Sequence, residues 1–159
     1  MKNFSIPAIA LLLIVTACNN NAEQKTTEHP HSSEIPQTHA DSLMADVMEG
    51  HDVGMAKMGR LRSMQKNVEA TLDSIAKLPS KAKAATEPFK VKMEGVLQDL
   101  KSARSGMEKW MDEFNMDSAV NNMEQRIKYL TDEKLRISKV KEDILSSLQK
   151  ADSLIKAKL

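Results

Sequence analysis

The sequence predicts an all-α protein: an antiparallel up-down-up three-helix bundle, similar to a coiled coil, on a disordered N-terminal leash. Apolar residues recur every three or four positions through most of residues 41–159, which is the spacing of amphipathic helices. Val and Ile are sparse after residue 17, and the chain has only five Gly and five Pro, which argues against a sandwich or barrel. Short connections between three such stripes favour antiparallel neighbours.

Residues 1–17 have the three parts of a secretory signal. Lys2 lies in a short polar start, an apolar run follows over residues 6–15, and two small residues precede Cys18. The run is too short to span a bilayer as a mature helix. The sequence Val-Thr-Ala-Cys at 15–18 resembles the lipobox of bacterial lipoproteins, whose cysteine is acylated after cleavage. We therefore predict a lipoprotein signal peptide over 1–17 and a covalent lipid on Cys18, the only cysteine.

Residues 18–40 are predicted to form the lipidated, disordered leash. The segment is polar throughout, and Ile35 is its only large apolar residue. Such a segment cannot bury enough apolar surface to offset the entropy of ordering. It carries His29, His31 and His39 at irregular spacing, which favours a polar spacer over a weak Zn or Cu tract.

The first helix is predicted over about 41–78, and Pro79-Ser80 ends it. One apolar stripe runs along it for more than eight turns. Its members are Met44, Met48, His51, Met55, Met58, Leu61, Met64, Val68, Leu72 and Ile75.

The second helix is predicted over about 86–114, with Pro88 near its first turn. Its stripe alternates steps of four and three residues, as in a coiled coil. The members are Phe89, Met93, Val96, Leu100, Ala103, Met107, Trp110 and Phe114.

The third helix is predicted over about 117–157, after turn and cap residues at 115–118. Lys134 and Lys141 fall on two positions of its stripe, so either the stripe drifts toward Val140 and Leu145 or the lysine stems extend outward to water. The apolar members are Val120, Met123, Ile127, Leu130, Ile137, Ile144, Leu148, Ala151 and Ile155.

The composition excludes several classes of protein. The balance of 23 basic and 22 acidic residues gives no reason to expect nucleic acid as a partner, and one cysteine cannot form a disulfide framework or a thiolate zinc site. Gly50, Gly54 and Gly59 are isolated within a helical stripe and do not form a phosphate loop. No Ser, His and Asp set has catalytic spacing. We predict no enzyme and no cofactor other than the lipid.

The methionines are predicted to gather at the end of the bundle next to the leash. Antiparallel folding brings the start of the first helix beside the end of the second and the start of the third, and we expect Trp110 to pack near Met55. The residues at this end are Met44, Met48, Met55, Met58, Met107, Met111, Met116 and Met123, with His51, Trp110 and Phe114.

Three interpretations of these methionines compete. Core packing is favoured, because the first stripe continues without a break into Leu61 and Val68. Copper is the alternative, since thioether sulfur selects Cu(I); the candidate ligands are Met48, His51, Met55 and Met58. The third interpretation is an adaptable surface for a partner. Its candidates are Met44, Met55, Met107, Trp110, Met111 and Phe114.

Three segments resemble a known family. These are HDVGMAKMG at 51–59, MEKWMDEF at 107–114 and KVKEDIL at 139–145. They are similar to segments of small Bacteroidota lipoproteins that are often labelled "viral A-type inclusion protein". The resemblance covers about residues 44–155. It implies a helical lipoprotein and carries no established activity.

The sequence as a whole predicts a cell-envelope lipoprotein that acts as a helical interaction or structural module, with copper handling as the alternative. Its expected partners are the lipid bilayer, through Cys18, and an envelope protein or a second copy. Asn19 does not resemble an inner-membrane retention signal, and residues 19–21 lack an acidic export cluster. We therefore expect the periplasmic face of the outer membrane.

Overall fold

The computed structural model describes residues 38–157, which fold into three long helices. They are α1 (His39–Ala76), α2 (Ser80–Glu113) and α3 (Met123–Lys156), and this described range contains no strand. The all-α, three-helix prediction is confirmed. The predicted signal peptide, Cys18 and most of the predicted leash lie outside the described residues.

α1 begins at a capping box. The Asp41 backbone N–H donates to the Thr38 hydroxyl over 3.1 Å, and the Thr38 N–H donates to the Asp41 carboxylate over 3.0 Å. The helix therefore starts at His39, two residues before the predicted boundary at 40/41, and Ala40 is already buried.

α2 begins at Ser80, six residues earlier than predicted, so only 77–79 connect it to α1. Pro88 lies inside the helix, and its assignment to the first turn is wrong. The preceding segment, KAKAAT at 81–86, has high helix propensity and extends the helix toward its N-terminus. Pro88 is exposed, so the carbonyl that its ring leaves without an N–H partner can reach water.

α3 begins at Met123, not at 117 as predicted. The Asn122 side chain accepts from the Gln125 backbone N–H over 3.1 Å and caps the helix. Residues 114–122 are therefore a connection with turns. Val120 and Met123, predicted on the buried stripe, are both exposed.

Cross-helix ion pairs fix the direction of each helix. Residue numbers of paired side chains rise together between α1 and α3, but run oppositely between α2 and either neighbour. The α1–α3 pairs are Asp46 with Lys134 and Arg60 with Asp152, and the α2–α3 pairs are Asp99 with Lys150 and Glu113 with Arg136. Between α1 and α2, Glu69 pairs with Lys101, and the His51 ring lies beside Trp110. The topology is thus up-down-up, and the start of α1, the end of α2 and the start of α3 share one end of the bundle.

The core follows the predicted stripe of α2 closely but departs from that of α1. In α2, buried residues occupy predicted positions from Met93 to Trp110. Between residues 43 and 54 of α1, the buried residues are Leu43, Val47, Gly50 and Gly54, each one position before a predicted member of the stripe. The predicted Met44, Met48, His51 and Met55 lie on the partly or fully exposed flank.

The predicted drift of the α3 stripe is confirmed in one of its two positions. Val140 packs against the core, whereas Leu145 is exposed. Lys134 extends toward water and pairs with Asp46 over 2.6 Å. Glu133, beside it, is buried instead.

Two glycines explain the shifted face of α1. A Cβ placed on Gly50 would lie 3.1 Å from Cγ2 of Ile137 in α3, and one on Gly54 would collide with Cε of Met107 in α2. A larger residue at Gly50 would press on the branched Ile137 side chain and hold α1 away from α3, whereas one at Gly54 would require the end of the flexible Met107 side chain to move. Gly59 has no heavy atom within 4 Å of such a Cβ and faces open space.

We expect Gly50→Leu to lower the free energy of unfolding by about 1–3 kcal/mol, because the added side chain overpacks the contact with Ile137. The matched variant Gly59→Leu should raise it by up to about 1 kcal/mol, because Leu favours helix more than Gly does. Urea unfolding followed by circular dichroism measures both. Equal changes in the two variants would contradict the close packing of α1.

Candidate functional site

The α2–α3 connection is fixed by a side chain from α3. The Arg126 guanidinium Nη1 donates to the backbone carbonyls of Met116, over 2.6 Å, and Ser118, over 2.7 Å. The Asn122 N–H donates to the Ala119 carbonyl over 3.0 Å. Bonds from a charged donor are stronger than neutral ones, so Arg126 holds the middle of the connection against the bundle.

Asn115 fixes the first half of the connection. Its backbone N–H donates to the Tyr129 hydroxyl over 2.8 Å, and its side-chain oxygen accepts from the Asp117 N–H over 2.9 Å. Ala119 adopts φ 56°, a left-handed conformation that costs a non-glycine residue about 1 kcal/mol. Such a conformation persists where the surrounding contacts determine the backbone.

A row of rings lies beneath this connection and joins all three helices. Trp110 stacks on Phe114 with ring centroids 4.7 Å apart, and Phe114 stacks on Tyr129 at 6.2 Å. On the α1 side, the His51 ring lies 5.6 Å from Trp110. Nδ1 of His51 is 2.9 Å from a carboxylate oxygen of Asp52.

The polar edge of the Trp110 indole meets a buried carboxylate. Its Nε1 donates to Oε2 of Glu133 over 2.9 Å, and Arg136 donates to Oε1 over 2.7 Å. Glu133 is only 3% exposed, and a second nitrogen of Arg136 pairs with Glu113. Burial lowers the pKa of Arg136, but hydrogen bonds to Glu113 and Glu133 outweigh it and raise the pKa above its usual value.

Above the ring stack, the α2–α3 connection and the helix ends that adjoin it expose four apolar side chains. Met111 is 46% exposed, Met116 55%, Val120 56% and Met123 55%. We call these four residues the methionine rim. Each of its methionines is followed directly by an exposed acidic residue, giving the pairs Met111-Asp112, Met116-Asp117 and Met123-Glu124.

The six residues predicted from the sequence to form a partner surface differ in their exposure to solvent. Met107 and Trp110 are buried in the core and offer no surface to a partner. Met44 and Phe114 are half-buried, whereas Met55 and Met111 are exposed. The expectation that this end is lined with methionine therefore holds for the surface, while Leu43, Val47, Leu130 and Ile137 share the core beneath it.

The four copper candidates lie in different surroundings. Met58 is buried in the core, Met48 and His51 are half-buried, and Met55 is exposed. Within residues 38–157, no group of three or more His, Cys, Asp or Glu side chains is arranged to hold a metal ion. That finding does not concern thioether ligands, so copper binding stays a prediction.

Several residues that build the site were not among the site residues predicted from the sequence. They are Asn115, Met116, Val120, Met123, Arg126, Tyr129, Glu133 and Arg136. Two left a signal in the sequence: Glu133 lies three residues after Leu130 and four before Ile137, which is stripe spacing, and Arg126 is a basic residue near a helix N-terminus, where the helix dipole disfavours it.

No protein-family model, curated protein or solved structure matches this chain. None of the helices in the described range is both long and apolar enough to cross a membrane.

We expect Trp110→Phe to lower the free energy of unfolding by about 1–3 kcal/mol, because the ring stack is retained while one oxygen of buried Glu133 loses its donor. Tyr129→Phe, which removes a hydroxyl from a half-buried ring, should cost less. Chemical unfolding compares them. If Trp110→Phe were as stable as the wild type, the indole–carboxylate bond would not contribute to stability.

Proposed function

We propose that this protein is a lipid-anchored component of the cell envelope that acts as a helical interaction module, and that the methionine rim is its contact surface. The observation that carries the proposal is that four apolar side chains are exposed around a connection fixed by hydrogen bonds. Removing apolar surface from water yields about 25 cal/mol per Å², and a surface that is already ordered loses little entropy on binding.

Methionine suits this role because its unbranched side chain adapts to apolar shapes of different form. Stacked aromatic rings and charge-assisted hydrogen bonds hold the backbone beneath the rim in place. The flexible methionine side chains are therefore attached to an ordered backbone. We propose binding and not catalysis for this surface. The proposed partner is an envelope protein.

The anchor is proposed on Cys18, from the Val-Thr-Ala-Cys sequence at 15–18. Nineteen residues lie between Cys18 and Thr38, and a chain of that length spans at most about 70 Å. The rim lies at the same end of the bundle as Thr38. We therefore place its partner at or near the membrane that holds the lipid, with the periplasmic face of the outer membrane as the proposed location.

We expect Cys18→Ser to move the protein from the membrane fraction to the soluble or precursor fraction, because the acyl chains supply the proposed membrane affinity. Fractionation of cells with immunoblotting measures this. The control is Ser5→Ala, which leaves the lipobox intact. Unchanged membrane association of Cys18→Ser would contradict the anchor.

We expect a photo-crosslinking residue at position 116 to form a discrete adduct with an envelope protein in the cells of origin, because Met116 is exposed on the rim. The same residue at Ser105, exposed in the C-terminal half of α2 and outside the rim, is the control. With the crosslinker at 116, adding Met111→Ser and Met123→Ser should reduce the adduct at least about tenfold, while stability changes by less than about 0.5 kcal/mol. An equally strong adduct from position 105 would count against the rim.

A further inference from the structure

We infer that the methionine rim binds a cationic amphipathic helix of its partner. The inference deepens the proposed interaction function and rests on it: it gives the chemical class of the segment bound.

The rim carries a local negative charge that the whole chain does not. From Glu108 to Lys128, a range that includes Arg126 at the connection, the sequence has five acidic and three basic residues, although the net charge of the protein is +1. From Arg60 to Lys92, toward the opposite end of the bundle, it has eight basic and three acidic residues. The two ends of the bundle therefore have opposite charge.

The cations near the rim are already engaged. Lys109 lies 3.7 Å from Glu113, Lys128 donates to Asp132 over 2.9 Å, and Arg126 is bonded to the carbonyls of the connection. By contrast, the carboxylates of Asp112, Asp117 and Glu124 have no hydrogen-bond or ion-pair partner among residues 38–157. Three unpaired carboxylates thus alternate with the exposed methionines.

An apolar surface bordered by carboxylates is complementary to a segment with an apolar face and Lys or Arg on its flanks. The described bundle presents no strand edge, so an extended peptide cannot add to a sheet here. A helix presents its apolar side chains at every third or fourth position and can lay them across the rim. Anionic lipid headgroups, or the rim of a second copy, would instead meet like charge.

The probe is a fluorescent synthetic helix of Leu and Lys with Leu on one face, measured by anisotropy against the full chain carrying Cys18→Ser. We expect saturable binding that weakens at least tenfold between low salt and about 0.5 M salt, because the ion pairs are exposed. A control helix with the same Leu positions but Glu in place of every Lys should not bind. Equal affinity for the Lys helix and the Glu helix would overturn the inference.

Two sets of variants locate the site. Neutralising the rim with Asp112→Asn, Asp117→Asn and Glu124→Gln should weaken binding about tenfold or more, whereas Asp73→Asn with Glu142→Gln, exposed acids elsewhere, should not. Met116→Ser with Met123→Ser should also weaken binding. Their control is Val91→Ser with Leu145→Ser, which removes two apolar side chains that are 57% and 41% exposed away from the rim. Losses as large in the control sets would overturn the inference.

The remaining outcomes separate the inference from the proposed function. If phosphatidylcholine vesicles float the chain in a rim-dependent way and the Lys helix does not bind, the occupant is a bilayer and the inference is wrong. If the Lys helix does not bind but the adduct from position 116 persists in cells, the interaction function stands and the partner class is wrong. Loss of both overturns both.

Discussion

The contact between the Trp110 indole and the buried Glu133 carboxylate is the interaction on which this end of the molecule depends. A buried carboxylate without donors costs several kcal/mol, and here the indole N–H and Arg136 satisfy one oxygen each. Because the two groups lie on different helices, satisfying them fixes the register of α2 against α3. The ring stack then extends this order through Phe114 to Tyr129, whose hydroxyl holds Asn115. The conformation of the connection thus depends on contacts that begin in the core.

The second constraint is the close approach of α1 at Gly50 and Gly54. With these glycines buried, the neighbouring Met48 and Met55 are displaced to the flank of the helix. The sequence contains two stripes one residue apart, and the prediction chose the one richer in methionine because glycine contributes no apolar side chain. Contact with Ile137 and Met107 decides for the other. Hydrophobic spacing alone could not show that, since helix–helix distance is a property of two elements together.

Much of the fold could be predicted from the sequence, and less of the site. The three helices, the buried stripe of α2 and the gathering of methionines at one end follow from local spacing and from short connections. The starts of α2 and α3 were wrong, because KAKAAT before Pro88 is a good helix segment and Asn122, not a residue at 115–118, caps α3. The roles of Arg126, Tyr129 and Glu133 depend on which side chains tertiary packing brings together. Exposure of Val120 and Met123 follows only once the start of α3 is known.

A net charge of +1 conceals the separation of charge along the bundle, and this separation has a consequence for the proposed anchored state. If Cys18 carries a lipid, the tether attaches at the acidic end, beside the rim. A surface of anionic lipids repels carboxylates within about a Debye length, roughly 8 Å at physiological salt. The membrane would therefore keep the rim from adsorbing while the tether keeps it near. A tethered site has a high effective concentration for neighbours in the same membrane, so a weak contact is sufficient to select a cationic partner segment there.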